Sequence, residues 1–540
     1  MTHPLNGAAA AVQALRQNGV DTVFGIPGTH NLELYRHLAT SGVRHIAPRH
    51  EQGAGYAADA YARVTGRAGV CITTSGPGLT NISTAAATAY ADSIPMLVVS
   101  PAAPVGRERA DVGWLHEVKD QRAHMDALLA RSIRVSTPDE AVDAIHQAFA
   151  RWRVERPRPV HLEVPVDVLE APWTSGPDRR LPNVAGQLPV ADSLSAATDA
   201  LRTATAPLLL LGGGACDAAE EATRLAELLD SPVITTVNGK GVVPESHPLS
   251  VGATLSQAPV QEAVEAADVL LVVGSELAEV DTAGTVLAPR GTVVRVDIDI
   301  CQLHKNVAAG ITVHGPARQV LTELASLLGK FADEPSKHRE PGAARATALR
   351  ALAQEAALTV GEPWRRVQEI LRACLPADAI VAGDSAQVSY SGTVPFWPMD
   401  SPRCFLHPTG YATLGYAIPA AIGAKVAFPQ RTVCALAGDG GSLFSIQELA
   451  TAAEHGLPIP IIIMNNHGYA EIREEMHARG IPPLAVDIRG IDFAALGRAF
   501  GGHGECIADL EHLPDAVSRA LAADGPTVIE FIVDAPKETS

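Results

Sequence analysis

The strongest constraint on this chain is a repeated alternation of short apolar runs, bounded by Gly or Pro, with stretches of helical period. From residue 7 to about 170, "DTVFGIPG", "GVCITTSGPG", "PMLVVSPA" and "PVHLEVPVD" alternate with segments such as "AAAAVQALRQNG". Strands alternating with helices imply a parallel sheet covered on both faces. The pattern recurs with "APLLLLGGG", "SPVITTVNG", "ADVLLVVGS" and "TVVRVDID", and again with "DAIVAGDS", "TVCALAGDGG" and "IPIIIMNN". The Pro- and charge-rich stretches 171–190 and 330–344 lack periodicity and read as linkers.

The expected fold class is therefore α/β, with three doubly wound parallel-sheet domains at 1–172, 190–330 and 355–540. A chain of 540 residues is too long for one core, and three units of similar class account for its length. Three successive units of this size also suggest ancient duplication.

Composition removes several classes of function. The formal charge of -18 carries no basic cluster, which disfavours nucleic acid and anionic lipid and leaves small molecules as the expected partners. No apolar run approaches the roughly 18 residues that span a bilayer, so no membrane association is expected. The first residues lack a signal-peptide pattern, and the cytoplasm is the expected compartment. Seven cysteines stand singly without CxxC spacing, as reduced core thiols would.

One segment carries chemistry. "RTVCALAGDGG" reads as a strand ending in a glycine turn, "SIQELATAAEHG" as a helix starting near Ser445, and "PIPIIIMNN" as the next strand. Asp439 and Asn466, 27 residues apart, then sit at the carboxyl ends of two strands of one βαβ unit, where open α/β sheets bind ligands. A carboxylate and an amide carbonyl suit Mg²⁺, whose shell phosphates commonly complete. Gly438, Gly440 and Gly441 would let backbone N–H groups approach a diphosphate. A glycine turn and strand-ending asparagines without a ligand would give the same string.

GDG followed at this distance by NN resembles the thiamin diphosphate motif of the 2-oxo acid decarboxylase and acetolactate synthase superfamily, and the resemblance extends over nearly the whole chain. It implies a pyrimidine-binding first domain, a central Rossmann-like domain and a diphosphate-binding third domain. It also implies Mg²⁺ held by Asp439, Asn466 and the backbone oxygen of Gly468, with Ser442 and Tyr469 flanking the diphosphate. Asp384, Ser385 and Gln387 of "GDSAQ" would add diphosphate contacts. In "YATLGYAIPAAIG", Leu414 would support the bent cofactor and the Ala412 carbonyl would receive its 4′-amino group.

Glu51 precedes the Gly/Ala-rich helix of "RHEQGAGYAADAYARVTG". Limited hydration there would keep it available as a proton donor, whereas a plain helix-terminal acid would be stabilised by the dipole. The resemblance implies contact with N1′ of the aminopyrimidine of a cofactor held by another subunit, hence a homodimer or homotetramer.

The implied reaction is decarboxylation of a 2-oxo acid, with release of an aldehyde or addition to a second carbonyl compound. Thr29, at the end of the strand in "FGIPGTHNLELYRHL", is expected either to bind the substrate carboxylate or to cap a helix. His116 of "GWLHEVKDQ" stands where acetolactate synthases usually have Gln, and is read as an acid/base or as a surface histidine. Thr73-Thr74 occupy the place of a catalytic His in benzoylformate decarboxylases, and the paired histidines of pyruvate decarboxylases are missing. "LHEVKDQ", "AGDSAQ" and "NNHGYAEIREEM" resemble 2-ketoarginine decarboxylases, which implies 5-guanidino-2-oxopentanoate as substrate and 4-guanidinobutanal as product. Glu471 or Asp384 would then face the guanidinium, unless these acids are simply solvated. The alternative is an acetolactate-synthase-like carboligase. The glycines of "LLLLGGGACD" are weak grounds for FAD, which is left out of the main reading.

Overall fold

The computed structural model describes residues 5–175, 189–331 and 340–533. Most of both expected linkers lies outside the described residues. The first sheet contains β1 (Thr22–Gly25), β2 (Arg44–Ile46), β3 (Gly69–Ile72), β4 (Met96–Ala102), β5 (Arg131–Arg134) and β6 (Val160–Pro165). The second contains β7 (Leu208–Leu211), β8 (Val233–Thr235), β9 (Ser250–Gly252), β10 (Val269–Val273), β11 (Thr292–Asp297) and β12 (Ile311–His314). The third contains β13 (Ile380–Gly383), β14 (Phe405–Leu406), β15 (Val433–Gly438), β16 (Pro460–Asn465), β17 (His503–Ile507) and β18 (Thr527–Ile532).

The orders are β2-β1-β3-β4-β6-β5, β12-β11-β10-β7-β8-β9 and β14-β13-β15-β16-β18-β17. The first and third sheets thus share one order, as duplication would leave them, while the middle sheet has the order of dinucleotide-binding folds. All the pairings are parallel, and the central strands are buried along their whole length, which explains their uninterrupted apolar runs. In such sheets ligands bind beyond the strand carboxyl ends where the order reverses. Those points lie between β1 and β3, between β7 and β10, and between β13 and β15.

The domains are bound together tightly. Helix Glu51–Thr65 of the first packs on helix Ala417–Ala427 of the third so closely that a Cβ on Gly423 would stand 2.0 Å from the Ala57 carbonyl oxygen. One hydrophobic cluster runs through both domains, from Phe24 and Tyr56 to Ile422 and Ile463. Helix Gly342–Cys374 crosses the expected 355 boundary without a break, giving Ala346 and Leu349 to the middle core and Val367 and Leu371 to the third. Buried Arg63 donates to Asp59 (2.6 Å), Asp92 (2.8 Å), Asn238 (3.1 Å) and the His407 carbonyl (3.3 Å), so one guanidinium ties all three domains.

The cysteines depart from expectation: Cys71, Cys404 and Cys434 are buried, but Cys301 and Cys506 are exposed, and none is disulfide-bonded. Among the described residues no helix is long and apolar enough to cross a membrane.

Candidate active site

The third sheet brings Asp439 and Asn466 together at the carboxyl ends of adjacent strands β15 and β16, next to its reversal point. Asp439 is 1% exposed, its Oδ2 has no hydrogen-bond partner, and burial raises its pKa. One terminal atom of the Asn466 amide lies 3.2 Å from Asp439 Oδ1 and 2.7 Å from the Gly468 carbonyl oxygen. With nitrogen at that position the amide donates to both. With oxygen there, three oxygens converge, and a cation between them would offset their repulsion. The neighbouring Asn465 acts instead on the loop's shape, donating to buried Glu530 (2.7 Å) and accepting from the His467 N–H (3.0 Å).

The glycine turn is more compact than expected. Helical structure begins at Asp439 as one turn, Asp439–Ser442, and the following helix starts at Glu448, beyond Ser445. Buried Ser442 donates its hydroxyl to the Asp439 carbonyl (2.9 Å), closing that turn. The Tyr469 ring packs over Gly440. Across the reversal point, a Cβ on Gly441 would stand 3.0 Å from Asp384 Oδ2 and 3.7 Å from Leu414.

Asp384 is fully used by its own protein. Its carboxylate accepts backbone N–H groups of Ser385 (2.9 Å), Gly415 (3.0 Å) and Tyr416 (3.3 Å), and burial pushes its pKa up to about 6. It therefore shapes the segment carrying Leu414, and its commitment to those amides argues against a role as guanidinium partner. Exposed Ala412 holds a left-handed φ of 51°, which is unfavourable for a residue with a Cβ.

Glu51 belongs to a second cluster, at the reversal point of the first sheet. It opens helix Glu51–Thr65, is 8% exposed, and accepts from Asn81 Nδ2 at 3.0 Å. The loop before it is fixed by Glu448 of the third domain, which accepts from the Arg49 N–H (3.1 Å) and the His50 N–H (3.0 Å). Sequence reading missed both Asn81 and Glu448. "QEL" offered an acid on a helix, but nothing in it pointed to a domain contact.

Thr29 is exposed, and the helix it was expected to cap has Asn31 at its N-cap position. His116 is half-buried in a cluster rather than on open surface. His30 Nδ1 lies 2.6 Å from Ser75 Oγ, which lies 3.4 Å from His116 Nδ1. The buried Oγ1 atoms of Thr73 and Thr74 have no partners.

On helix Ala470–Ala478, just past the Asn466 loop, Glu471 accepts from Gln387 Nε2 and from the Tyr390 hydroxyl, both at 2.8 Å. Gln387 also donates to Glu474 at 3.1 Å. Tyr390 stays a donor, because burial and the Glu471 carboxylate push its pKa upward. Tyr390 also lines a cavity of about 250 Å³ together with Ser385 and Ala412. A larger cavity of about 790 Å³ opens at the middle sheet's reversal point, beside Gly213, Gly214, Gly274 and Asp297.

Three parallel sheets, two with one strand order, and an Asp439–Asn466–Gly468 loop beside a buried glycine turn define a three-domain enzyme built around a diphosphate cofactor. Comparison with known proteins agrees. Residues 5–124 and 389–531 match the N- and C-terminal TPP-binding domains of thiamine pyrophosphate enzymes, and 194–324 match their central domain. The probable 2-ketoarginine decarboxylase AruI of Pseudomonas aeruginosa is 42% identical over 98% of this chain and 94% of its own. The acetolactate synthase large subunit of Parasynechococcus marenigrum is 35% identical over 98% of this chain and 88% of its own. A probable acetolactate synthase large subunit of Methanocaldococcus jannaschii is 32% identical, covering 98% and 92%. The chain belongs to the thiamine pyrophosphate enzyme family and is a thiamin-diphosphate-dependent enzyme.

Proposed function

We propose that the protein decarboxylates, without oxidation, a 2-oxo acid with a cationic tail, and that 5-guanidino-2-oxopentanoate is its substrate, giving 4-guanidinobutanal and CO₂. The observation that carries this reading is the Glu471–Glu474 pair, held by Gln387 and Tyr390 one helical turn beyond the metal loop. Two oriented carboxylates suit a planar guanidinium, which can donate to both. The 42% identity to a probable 2-ketoarginine decarboxylase supports the same substrate.

Asp439 Oδ2, the Asn466 amide oxygen and the Gly468 carbonyl would hold Mg²⁺, and the backbone of Gly438, Gly440 and Gly441, with Ser442 and Tyr469 at its flanks, would receive the diphosphate. Ser385 and Gln387 stand beside that end, while Asp384 holds the segment that presents Leu414 and the Ala412 carbonyl to the cofactor. Bound thiamin diphosphate supplies the electron sink for the bond to the departing carboxylate. Glu51, kept in place by Asn81 and by the Glu448-bound loop, would protonate or hydrogen-bond the aminopyrimidine end. Because Glu51 and Asp439 belong to separate clusters, the reading includes a homodimer or homotetramer whose sites lie between subunits. Thr29 would orient the substrate carboxylate, and His116 would deliver the proton that the aldehyde carbon gains.

A second reading, an acetolactate-synthase-like carboligase, draws on the 790 Å³ cavity of the middle domain, which is large enough for a flavin nucleotide. Flavin absorbance in the purified protein, together with a ligated product, would establish it.

The test is incubation of the purified protein with thiamin diphosphate, Mg²⁺ and a panel of 2-oxo acids, reading CO₂ together with aldehyde. The guanidino acid should be consumed far faster than 2-oxopentanoate. Absence of CO₂ from every substrate, with cofactor bound, would overturn the proposal.

A further inference from the structure

We propose that His30 and Ser75 form a proton relay that recharges His116 from solvent. The proposal rests on the reading of His116 as the acid that protonates the product. It adds a positioning pair behind that acid.

The three residues come from three separate places: His30 follows β1, Ser75 follows β3, and His116 lies in the loop after β4. Their meeting is specific. Ser75 is buried, and its hydroxyl stands between His30 Nδ1 (2.6 Å) and His116 Nδ1 (3.4 Å). His30 is clamped by Trp114, whose ring stacks on it at 4.3 Å and 8°, and the His116 ring meets His30 edge-on at 5.1 Å. Burial and the neighbouring His116 lower the His30 pKa, so that ring gives up its proton readily.

His116 is held at a backbone cost. Its φ is 63°, a left-handed value unfavourable for a residue with a Cβ. The surroundings enforce it: Glu117 accepts the N–H groups of Asp111, Val112, Gly113 and Trp114, folding the loop around one carboxylate. On the other side, a Cβ on Gly76 would stand 2.4 Å from the His116 carbonyl oxygen, so the loop can approach only a glycine. Strain that its neighbours over-determine in this way is a mark of functional placement.

The balance of the reaction requires a proton source. A 2-oxo acid anion and one proton give an aldehyde and CO₂, so each turnover consumes one proton at the carbon that lost the carboxylate. His116 releases it from one ring nitrogen. The Ser75 hydroxyl passes its proton to His116 Nδ1 while taking one from His30 Nδ1, half-buried His30 regains a proton from water at its other nitrogen, and both rings return to their starting tautomers by proton exchange before the next turnover. No oxidant or reductant is needed.

Two measurements on the full chain test this. In the cofactor-free protein with ¹⁵N-labelled histidine, Ser75→Ala should shift the His116 ring nitrogens, and unchanged resonances would overturn the relay. In the loaded enzyme, His30→Ala should lower kcat about tenfold or more with little change in KM, and added imidazole should restore it. His30→Asn, which keeps a donor but cannot exchange protons, should stay slow. Full kcat in His116→Asn would remove the underlying reading. A slow His116→Asn beside a fast or imidazole-insensitive His30→Ala would remove the relay alone.

Discussion

Asp439 and Asn466, 27 residues apart in the chain, face each other across 3.2 Å at the ends of two adjacent parallel strands. With its nitrogen at that point the Asn466 amide donates to the Asp439 carboxylate and the Gly468 carbonyl. A cation held there would take the amide oxygen instead.

Asp439→Asn removes the charged member of that set. The buried carboxylate is penalised by desolvation, so the metal-free variant should be no less stable than the parent. Its Mg²⁺-dependent cofactor binding should weaken by at least about tenfold, or roughly 1.4 kcal/mol. Calorimetric titration with thiamin diphosphate, with and without Mg²⁺, measures both arms. A lowered melting temperature in chelator, with unchanged cofactor affinity, would assign Asp439 a structural role instead.

Glu471→Gln keeps the hydrogen-bonding shape beside Tyr390 and Gln387 but removes the charge. Loss of one charge-assisted contact, about 1.5–3 kcal/mol, should raise KM for the guanidino substrate roughly ten- to hundredfold. KM for uncharged 2-oxopentanoate should not move. Steady-state kinetics on the two substrates decide it, and equal losses on both would exclude a tail contact.

The sequence made the interior strands legible and left the edges obscure. β3, β7 and β10 are continuous apolar runs, because helices cover both faces. Of the edge strands, β2, β5 and β17 are partly exposed and carry charges, as in "RHI" and "RSIR", so no run marks them. β18 is interior, yet Glu530 interrupts "TVIEFI"; its carboxylate is buried against Asn465 and the Phe493 N–H, a pairing that no local pattern reveals. The site divides in the same way. Asp439 and Asn466 fall within one βαβ unit and could be read from spacing. Asn81 beside Glu51, Glu448 beneath the Arg49 amide and His30 across from His116 meet only through the sheet order and the docking of domains.

Gly423→Ala tests that docking. The added methyl would stand 2.0 Å from the Ala57 carbonyl oxygen, which belongs to a helix backbone and cannot swing aside. Overpacking of this kind costs about 1–3 kcal/mol or more. Urea unfolding should report that loss. Because the same helix begins with Glu51, the cofactor-dependent rate should fall even where the variant is folded.

Buried His161 on β6 should make the first domain acid-sensitive. Its ring is held between the hydroxyls of Ser100 and Ser132, both at 2.7 Å, and burial pushes its pKa down to about 3 from the ordinary 6.5. The unfolded chain therefore binds a proton between about pH 6.5 and pH 3 that the folded chain refuses. The stability due to neutral His161 is complete above pH 6.5 and is lost as pH falls towards 3, by at most about 1.4 kcal/mol per pH unit. His407, which burial pushes down to about 4, adds a second proton with the same sign. Unfolding free energies measured in urea at pH 7, 6 and 5 should decline along that course, and His161→Gln should reduce the slope by about one proton while keeping a side chain that can bond both serines. An unchanged slope in that variant would mean that His161 is protonated in the folded protein.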